Sequence, residues 1–454
     1  MFTRVCLGLL LLASTAVWSQ VDTTGTERAT SPNGTEEATS PTDEVPMSTP
    51  PPVSGQSYPT AFASETQSNN LRVGLTVSSA YSDDVSGGVH PVGDVSYSIW
   101  PTLGLDVNTT RLHTVLTYSP GFTLYQRISG LNQSDQNVAV DFRYRLSPNI
   151  IASLRESFLK TSNPFNQPDP LLATPVSGST PPPNVAVIAP AADQLSNATN
   201  AQLTYQFSAD GMLGLGGTFT NLHYLSPAQV PGLYNSRSTG GSAFYSRRLL
   251  EKYYIGVSYQ YLDMLTYQAG AHGNTQTQTQ TIFGFFTFSL KPNLSLSVSG
   301  GPQHSDTTQP PLPASRSWSP LLTASFSWRG QRTSLAASYA RIVTGGGGLV
   351  GAYHSNIANV SGAWQFSRTW NVGLSASYSA YNNLSPLLLV ASPGGHTLSG
   401  SLAFSHPLGE HLSLQLGYTR VQQSYGGVTA ISAVPDTNRE FLSISYQFVR
   451  PLKR

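Results

Sequence analysis

Leu412-Ser413-Leu414-Gln415-Leu416-Gly417-Tyr418-Thr419 alternates apolar with small polar residues without a break. Successive side chains on a strand point to opposite faces, so this stretch presents one face to an apolar neighbour and the other to a polar one. The division recurs in Leu294, Leu296 and Val298 against Ser295, Ser297 and Ser299, and in Trp370, Val372, Leu374, Ala376 and Tyr378 against Asn371, Gly373, Ser375 and Ser377. Each copy adjoins a tight reversal. Residues 142–150 turn at Ser147 to Asn149, residues 286–298 turn at Lys291 to Asn293, and further reversals fall near Asn108, Ala209, Leu250, Gly330, Ser367 and Leu408. Pro, Gly, Asn, Asp or a charged residue stands where each reversal is needed, so the unit is a repeated β-hairpin.

Composition agrees. Of 454 residues only 10% are charged, against about 25% in a typical soluble domain. Polarity comes instead from Ser, Thr, Asn and Gln beside 40 Gly, 32 Pro and 22 Tyr. That balance disfavours a charge-laced helical protein, a coiled coil or a nucleic-acid binder, and the formal net charge of +1 gives no strong long-range field. The single Cys6 excludes an internal disulfide and any Cys/His zinc array.

The first residues, Met1-Phe2-Thr3-Arg4, then an apolar run over 5–13 and small residues to Ser19, have the three-part pattern of a signal peptide spanning 1–19, with cleavage expected near Ala16 or Ser19. The apolar run is too short to span a membrane as a helix, and no later window is long enough. Residues 20–70 are low-complexity Thr, Ser, Pro and Glu, with seven acidic residues against the single Arg28. They are expected to be a disordered periplasmic segment, either a solvated spacer or an acidic arm that meets a periplasmic partner or the pore mouth. From Leu71 onward 22 basic residues face 16 acidic ones.

The hairpins are asymmetric. One set of turns is about three residues long, whereas the opposite connections run from roughly ten to forty, the pattern of a membrane barrel with short periplasmic turns and long external loops. Tyr144, Phe207, Phe288, Trp328, Phe366 and Phe404 stand just before short turns, and Tyr118, Phe219, Tyr259, Tyr339, Tyr378 and Tyr418 lie toward the far ends of the returning strands. Two rows at fixed depth are expected to be aromatic girdles flanking the apolar band.

On these features the chain resembles the porin-like outer-membrane β-barrel proteins of Gram-negative bacteria over residues 71–448. In the last strand Leu442, Ile444, Tyr446 and Phe448 are similar to the C-terminal assembly signal of that group, although six residues, 449–454, follow as a short periplasmic tail. The resemblance implies a cell outer membrane location, contact with outer-membrane lipid and lipopolysaccharide, recognition by the barrel-assembly machinery, passage of small hydrophilic solutes, and no nucleic acid. By resemblance alone a homotrimer is open to it.

Eight short-turn hairpins plus residues 71–82 and 441–448 make an all-β, up-and-down antiparallel barrel of 18 strands. The hairpins near 247–253 and 103–112 alternate less cleanly, so 16 is the fallback count. An even number returns both ends to the periplasm, and a lipid environment requires the first and last strands to pair. A ring of this size leaves an aqueous lumen.

With the apolar set outward, the inner wall is mostly Ser, Thr, Gly, Asn and Gln, which suits a passive conduit. Asp106, Arg111, Asp141, Arg143, Arg145 and Arg155 interrupt it on the polar faces of four consecutive strands. This pore-lining cluster either stiffens the wall through pairing or confers a mild anion preference. The long insertion over 161–200 is the third external loop, and either folds into the lumen or stays on the surface. Inward Phe283 and Phe285 offer a stacking surface for sugar rings, on a strand apolar on both faces.

No cofactor or metal is expected, and no catalytic site. GxSxG, HExxH and phosphate-cradling loops are absent, and Gly345 to Gly348 lacks the Lys of a phosphate loop. His90, His272, His304, His354 and His396 are expected in external loops, with Asp83, Asp84, Asp263 and Asp306 near the strand tops; a His with carboxylates there could activate water. His113 and His223 read as wall residues. The expected function is therefore a channel, the alternatives being a non-conducting surface-display or adhesin barrel and, less favoured, a barrel hydrolase.

Overall fold

The computed structural model describes residues 69–85, 91–162, 193–226, 232–250, 253–267, 274–291, 293–310, 312–345, 348–384, 394–425 and 436–452. The expected signal peptide, nearly all of the acidic segment, His90, His272 and most of the third external loop lie outside them.

The strands are β1 (Asn70–Ser82), β2 (Asp94–Asn108), β3 (Leu112–Tyr125), β4 (Gln133–Ser147), β5 (Ile150–Thr161), β6 (Gln194–Gln206), β7 (Gly211–Tyr224), β8 (Asn235–Leu250) and β9 (Tyr253–Tyr267). They continue as β10 (Thr275–Lys291), β11 (Leu294–Thr308), β12 (Ser315–Arg329), β13 (Thr333–Thr344), β14 (Tyr353–Gln365), β15 (Asn371–Asn383), β16 (Gly394–Pro407), β17 (Leu412–Tyr425) and β18 (Asp436–Pro451). Every strand pairs antiparallel with its neighbours in sequence, and β1 pairs with β18 from Asn70 opposite Pro451 to Ser82 opposite Arg439. The eighteen-stranded sheet is thus closed and has no edge strand, the condition for a β-structure in lipid, although β12 and β13 pair only from Leu322 opposite Arg341 to Arg329 opposite Ser334 and part above that point. No helix among the described residues is long and apolar enough to cross a membrane.

Three boundaries differ from expectation. β18 continues through Val449 to Pro451, because those residues still find β1 partners in Leu71 and Asn70; the strand does not stop at Phe448. β6 begins at Gln194, so Gln194 to Asn200 are wall and not loop, paired with β5 despite their polarity. Long connections span six to thirty-two residues and short ones two to five, a narrower contrast than the sequence suggests because polar strand tops read as loop.

Local chemistry closes the short turns. Thr109 N–H donates to Leu112 O at 2.7 Å, and Leu112 N–H returns to Thr109 Oγ1 at 3.0 Å. Ser367 Oγ accepts from Trp370 N–H at 3.1 Å, a side-chain substitute for a backbone turn bond. Neighbouring turns are tied by Arg248, which reaches Asp210 Oδ1 at 3.0 Å and Ala209 O at 3.0 Å. Aromatic rings gather at this rim: Phe142 stacks on Tyr144, Phe207 on Tyr245, Phe366 on Trp370, and Trp370 on His406 with centroids 4.6 Å apart.

The outer face is apolar only over part of its height. On β17 the outward Leu412, Leu414, Leu416 and Tyr418 give way to Arg420 and Gln422. On β10 Phe288, Phe286, Gly284 and Ile282 give way to Gln280, Gln278 and Gln276, and on β12 Trp328, Phe326, Ala324 and Leu322 give way to Trp318 and Arg316. From Phe288 to Ile282 is roughly 20 Å of strand at about 3.3 Å per residue. The apolar face is thus bounded, and the strands rise beyond it with polar residues on both sides.

Candidate lumen, its lining and its mouth

Strand alternation sends hydroxyls inward, and adjacent strands bring them together in pairs. Ser98 and Thr123 are 2.9 Å apart, Ser299 and Thr323 2.6 Å, Thr277 and Thr307 3.0 Å, Ser375 and Ser401 2.6 Å, and Thr76 and Ser445 2.8 Å across the β1–β18 closure. Each hydroxyl both donates and accepts, so the pairs satisfy part of one another. The Ser98–Thr123, Ser299–Thr323 and Thr277–Thr307 pairs are buried in the wall, whereas Thr76, Ser445, Ser375 and Ser401 are partly exposed.

The expected charge cluster occupies one sector of this face. Asp106, Val115, Asp141 and Arg155 follow one another across β2 to β5 in register, with His113 opposite Arg143 in the adjacent row. Arg155 donates to Asp141 Oδ2 through Nη2 at 2.8 Å and Nε at 3.2 Å, and Asp106 lies 3.8 Å from His113 Nε2. Arg143 and Arg145 are exposed on the inner side of β4. Arg111 is corrected in position: it lies in the β2–β3 turn, where its carbonyl accepts from Arg145 N–H at 2.8 Å, because Thr109 starts the reversal before the strand register reaches it. His113 joins the group although spacing alone marked it only as wall.

A second sector is apolar. Phe283 and Phe285 point inward but are buried against Leu321, with Phe244 and Ile342 packed beside them. Glycines make the room: a Cβ on Gly256 would stand 2.2 Å from the Phe285 ring, and one on Gly214 would stand 2.1 Å from that of Phe244. The two rings are 3% exposed, so they present no free face for stacking a sugar, which corrects that expectation.

The mouth at the long-loop end is narrowed by a connection that composition marks only as flexible. The β13–β14 connection reaches the β7–β8 connection, six strands away around the ring, where Tyr234 N–H donates to Gly348 O at 2.8 Å. Gly348 has φ +107°, and a Cβ there would fall 2.6 Å from Tyr224 Oη. Only glycine fits both demands without strain. Leu349, Ala352 and Tyr353 are buried behind it, Tyr353 Oη donates to Val350 O at 2.8 Å, and Met264 packs with Val343 and Ala352.

The described His residues expected in loops lie on strands instead, while Asp83, Asp84, Asp263 and Asp306 stand near the strand tops as expected. His304 is on β11, His354 on β14 and His396 on β16, all in register with strand partners. Their polar surroundings read as loop in the sequence, but they belong to the strand extensions beyond the apolar face. Asp306 pairs with Arg316 at 3.0 Å, Asp263 accepts from Gln276 at 2.9 Å, and Asp83 accepts from Asn438 N–H at 2.8 Å. Among the described residues no three His, Cys, Asp or Glu side chains converge to hold a metal.

The twelve aromatics from the sequence all share the outward register. Tyr118, Phe219, Tyr259, Tyr339, Tyr378 and Tyr418 sit on the returning strands, and Asn221, Arg341 and Arg420 follow two positions above Phe219, Tyr339 and Tyr418. Tyr144, Phe288, Trp328 and Phe404 stand one to three residues before their strands end at the short-turn rim, while Phe207 and Phe366 are the first residues of their turns. Leu442, Ile444, Tyr446 and Phe448 project from β18 on the same outer face, each about two-fifths exposed.

No protein-family model matches the chain, and no curated protein matches it. Among solved structures, it is similar to OccK2 (OpdF) of Pseudomonas aeruginosa, at 11% identity and a TM-score of 0.42, covering 84% of this chain and 98% of that one. It is also similar to OccAB2 of Acinetobacter baumannii, at 12% identity and a TM-score of 0.39, covering 84% and 99%. The ferric citrate transporter FecA matches at 11% identity and a TM-score of 0.39, and the chain spans 60% of its length.

Proposed function

We propose that the chain is an outer-membrane channel through which small hydrophilic solutes diffuse. One observation carries the reading: a closed ring of eighteen strands has hydroxyl pairs inside and exposed Val, Leu, Ile and aromatic side chains outside. Lipid stabilises only the second surface and water only the first, and a ring this wide has room for a column of water. In this reading residues 1–19 direct export, residues 20–70 are a periplasmic spacer or an acidic arm that meets a periplasmic partner or the pore mouth, the two aromatic rows mark the membrane interfaces, and Leu442 to Phe448 are read by the assembly machinery in an outer membrane containing lipopolysaccharide. Arg143, Arg145 and Arg155 of the inner wall, with Arg111 in the adjoining turn, outnumber Asp106 and Asp141, which supports a mild preference for anions.

The test is single-channel recording of the purified protein in planar bilayers. Stepwise conductance with a reversal potential shifted toward the anion supports the reading. Silence favours the second reading, a non-conducting surface-display barrel, which the buried cluster of Tyr224, Leu349, Tyr353 and Tyr381 at the mouth makes worth testing.

A further inference from the structure

Near the long-loop end of the inner wall, Gly121, Asp135, Thr161, Gln194 and Tyr224 form one lateral row across β3 to β7. Gly121 stands opposite Asp135, Thr161 opposite Gln194, and Gln194 opposite Tyr224. The β4–β5 register, which pairs Gln136 with Lys160, brings Asp135 and Thr161 together at the next step, where Thr161 Oγ1 is buried with no hydrogen-bond partner. Asp135 and Thr161 are fully buried and Gln194 is 3% exposed.

A second carboxylate stands beside the first. Ser162 N–H donates to Asp135 Oδ1 at 3.3 Å, while the hydroxyl of the same serine donates to Asp193 Oδ1. Gln133 Nε2 adds a bond to Asp135 Oδ2 at 3.3 Å. Lys160, the nearest cation, precedes Thr161 and so points to the outer face by strand alternation. Among the described residues neither carboxylate forms an ion pair. Asp135 is wholly removed from water while Asp193 is partly exposed, and a buried carboxylate held beside a second one, with Lys160 acting on it without an ion pair, is costly. Independently of them, Gln194 Oε1, on the residue opposite Thr161 in the row, is a buried acceptor with no hydrogen-bond partner.

Two carboxylates, an amide oxygen and a hydroxyl make an all-oxygen donor set. It contains no imidazole or thiolate, which turns it away from zinc and copper. Ca²⁺ takes six to eight oxygens in flexible geometry and completes its shell with water, whereas Mg²⁺ requires a near-ideal octahedron. We propose that Asp135, Asp193, Gln194 and Thr161 form a Ca²⁺ site on the inner wall at the long-loop mouth. The ion would tie β4, β5 and β6 together where the third long connection leaves and re-enters the wall. The site does not depend on what the lumen conducts.

The test uses the full chain in detergent micelles, titrated with Tb³⁺ as a luminescent stand-in and then with Ca²⁺. Trp100, which lies against Gly121 in the same row, and Tyr224 at its other end are the sensitisers. Saturable emission that Ca²⁺ displaces, weakened about tenfold or more by Asp135→Asn and by Gln194→Met, is the expected result. Absence of saturable binding, or wild-type affinity in both variants, overturns the proposal. Should Asp135→Asn fail to fold, Gln194→Met decides alone, because it leaves both carboxylates and their Ser162 bonds in place. Glu156→Gln serves as the control: Glu156 bonds Asn197 on the outer face, and an equal loss there would move the ion off the inner wall and sink the assignment.

Discussion

The backbone N–H of Tyr234 donates to the carbonyl of Gly348 at 2.8 Å, joining two connections that leave the barrel six strands apart. The bond holds the glycine-rich segment inward over the lumen, with Gly348 in the left-handed region and against Tyr224. Replacing Gly348 by Ala imposes about 1–2 kcal/mol of backbone strain, plus a clash with the tyrosine hydroxyl. The segment should swing outward, and single-channel conductance should rise above wild type with faster amide exchange at Leu349 to Ala352. Unchanged conductance and exchange would show that the segment does not narrow the path.

Arg155 and Asp141 form the two-point ion pair of the inner wall, with side chains 32% and 19% exposed. Arg155→Gln removes one of the three arginines of that sector while a neutral donor remains. Partial solvation keeps the stability cost to about 1 kcal/mol or less. The anion-to-cation permeability ratio, read from the reversal potential in a salt gradient, should fall. A ratio equal to wild type would mean the cluster only braces the wall.

Gly121 supports the Trp100 ring, and a Cβ at this position would lie 2.4 Å from its nearest carbon. Gly121→Ala should destabilise by about 1–3 kcal/mol through overpacking, visible as a lower temperature of gel-shift unfolding and altered tryptophan fluorescence. Gly130, with nothing within 4 Å of its Cβ position, is the matched control and should tolerate Ala with little change.

The height of the apolar face can be measured on β17. Leu416 is 56% exposed within it, and Gln422 lies on the same face above it. Leu416→Arg should cost about 2–4 kcal/mol in folding into lipid vesicles, and Gln422→Arg about 0–1. Equal costs at the two sites would mean that lipid does not end near Tyr418.

Much of the barrel was legible because strand alternation is a local property: Leu412 to Thr419 state their two faces without reference to any partner. The eight short turns were legible for the same reason, since residues such as Thr109 and Ser367 close reversals using neighbours two or three positions away. The strand tops were not. Gln276, Gln278 and Gln280 alternate with Thr and carry no apolar face, so nothing in their composition separates a strand rising out of lipid from a loop. The carboxylate pair was equally hidden, because Asp135, Thr161 and Asp193 come from separate segments and meet only through register.

Sequence alone determined that the ribbons pair, that one side of each lies in a greasy medium, and that the ring must close, because those follow from side-chain period and from the cost of unpaired backbone groups in lipid. Tertiary structure decided which inner residues share a row, which connection bends over the lumen, and that Phe283 and Phe285 are packed rather than offered. Those outcomes depend on the registers of strands far apart in sequence, and a shift of one residue would turn every side chain involved to the other face.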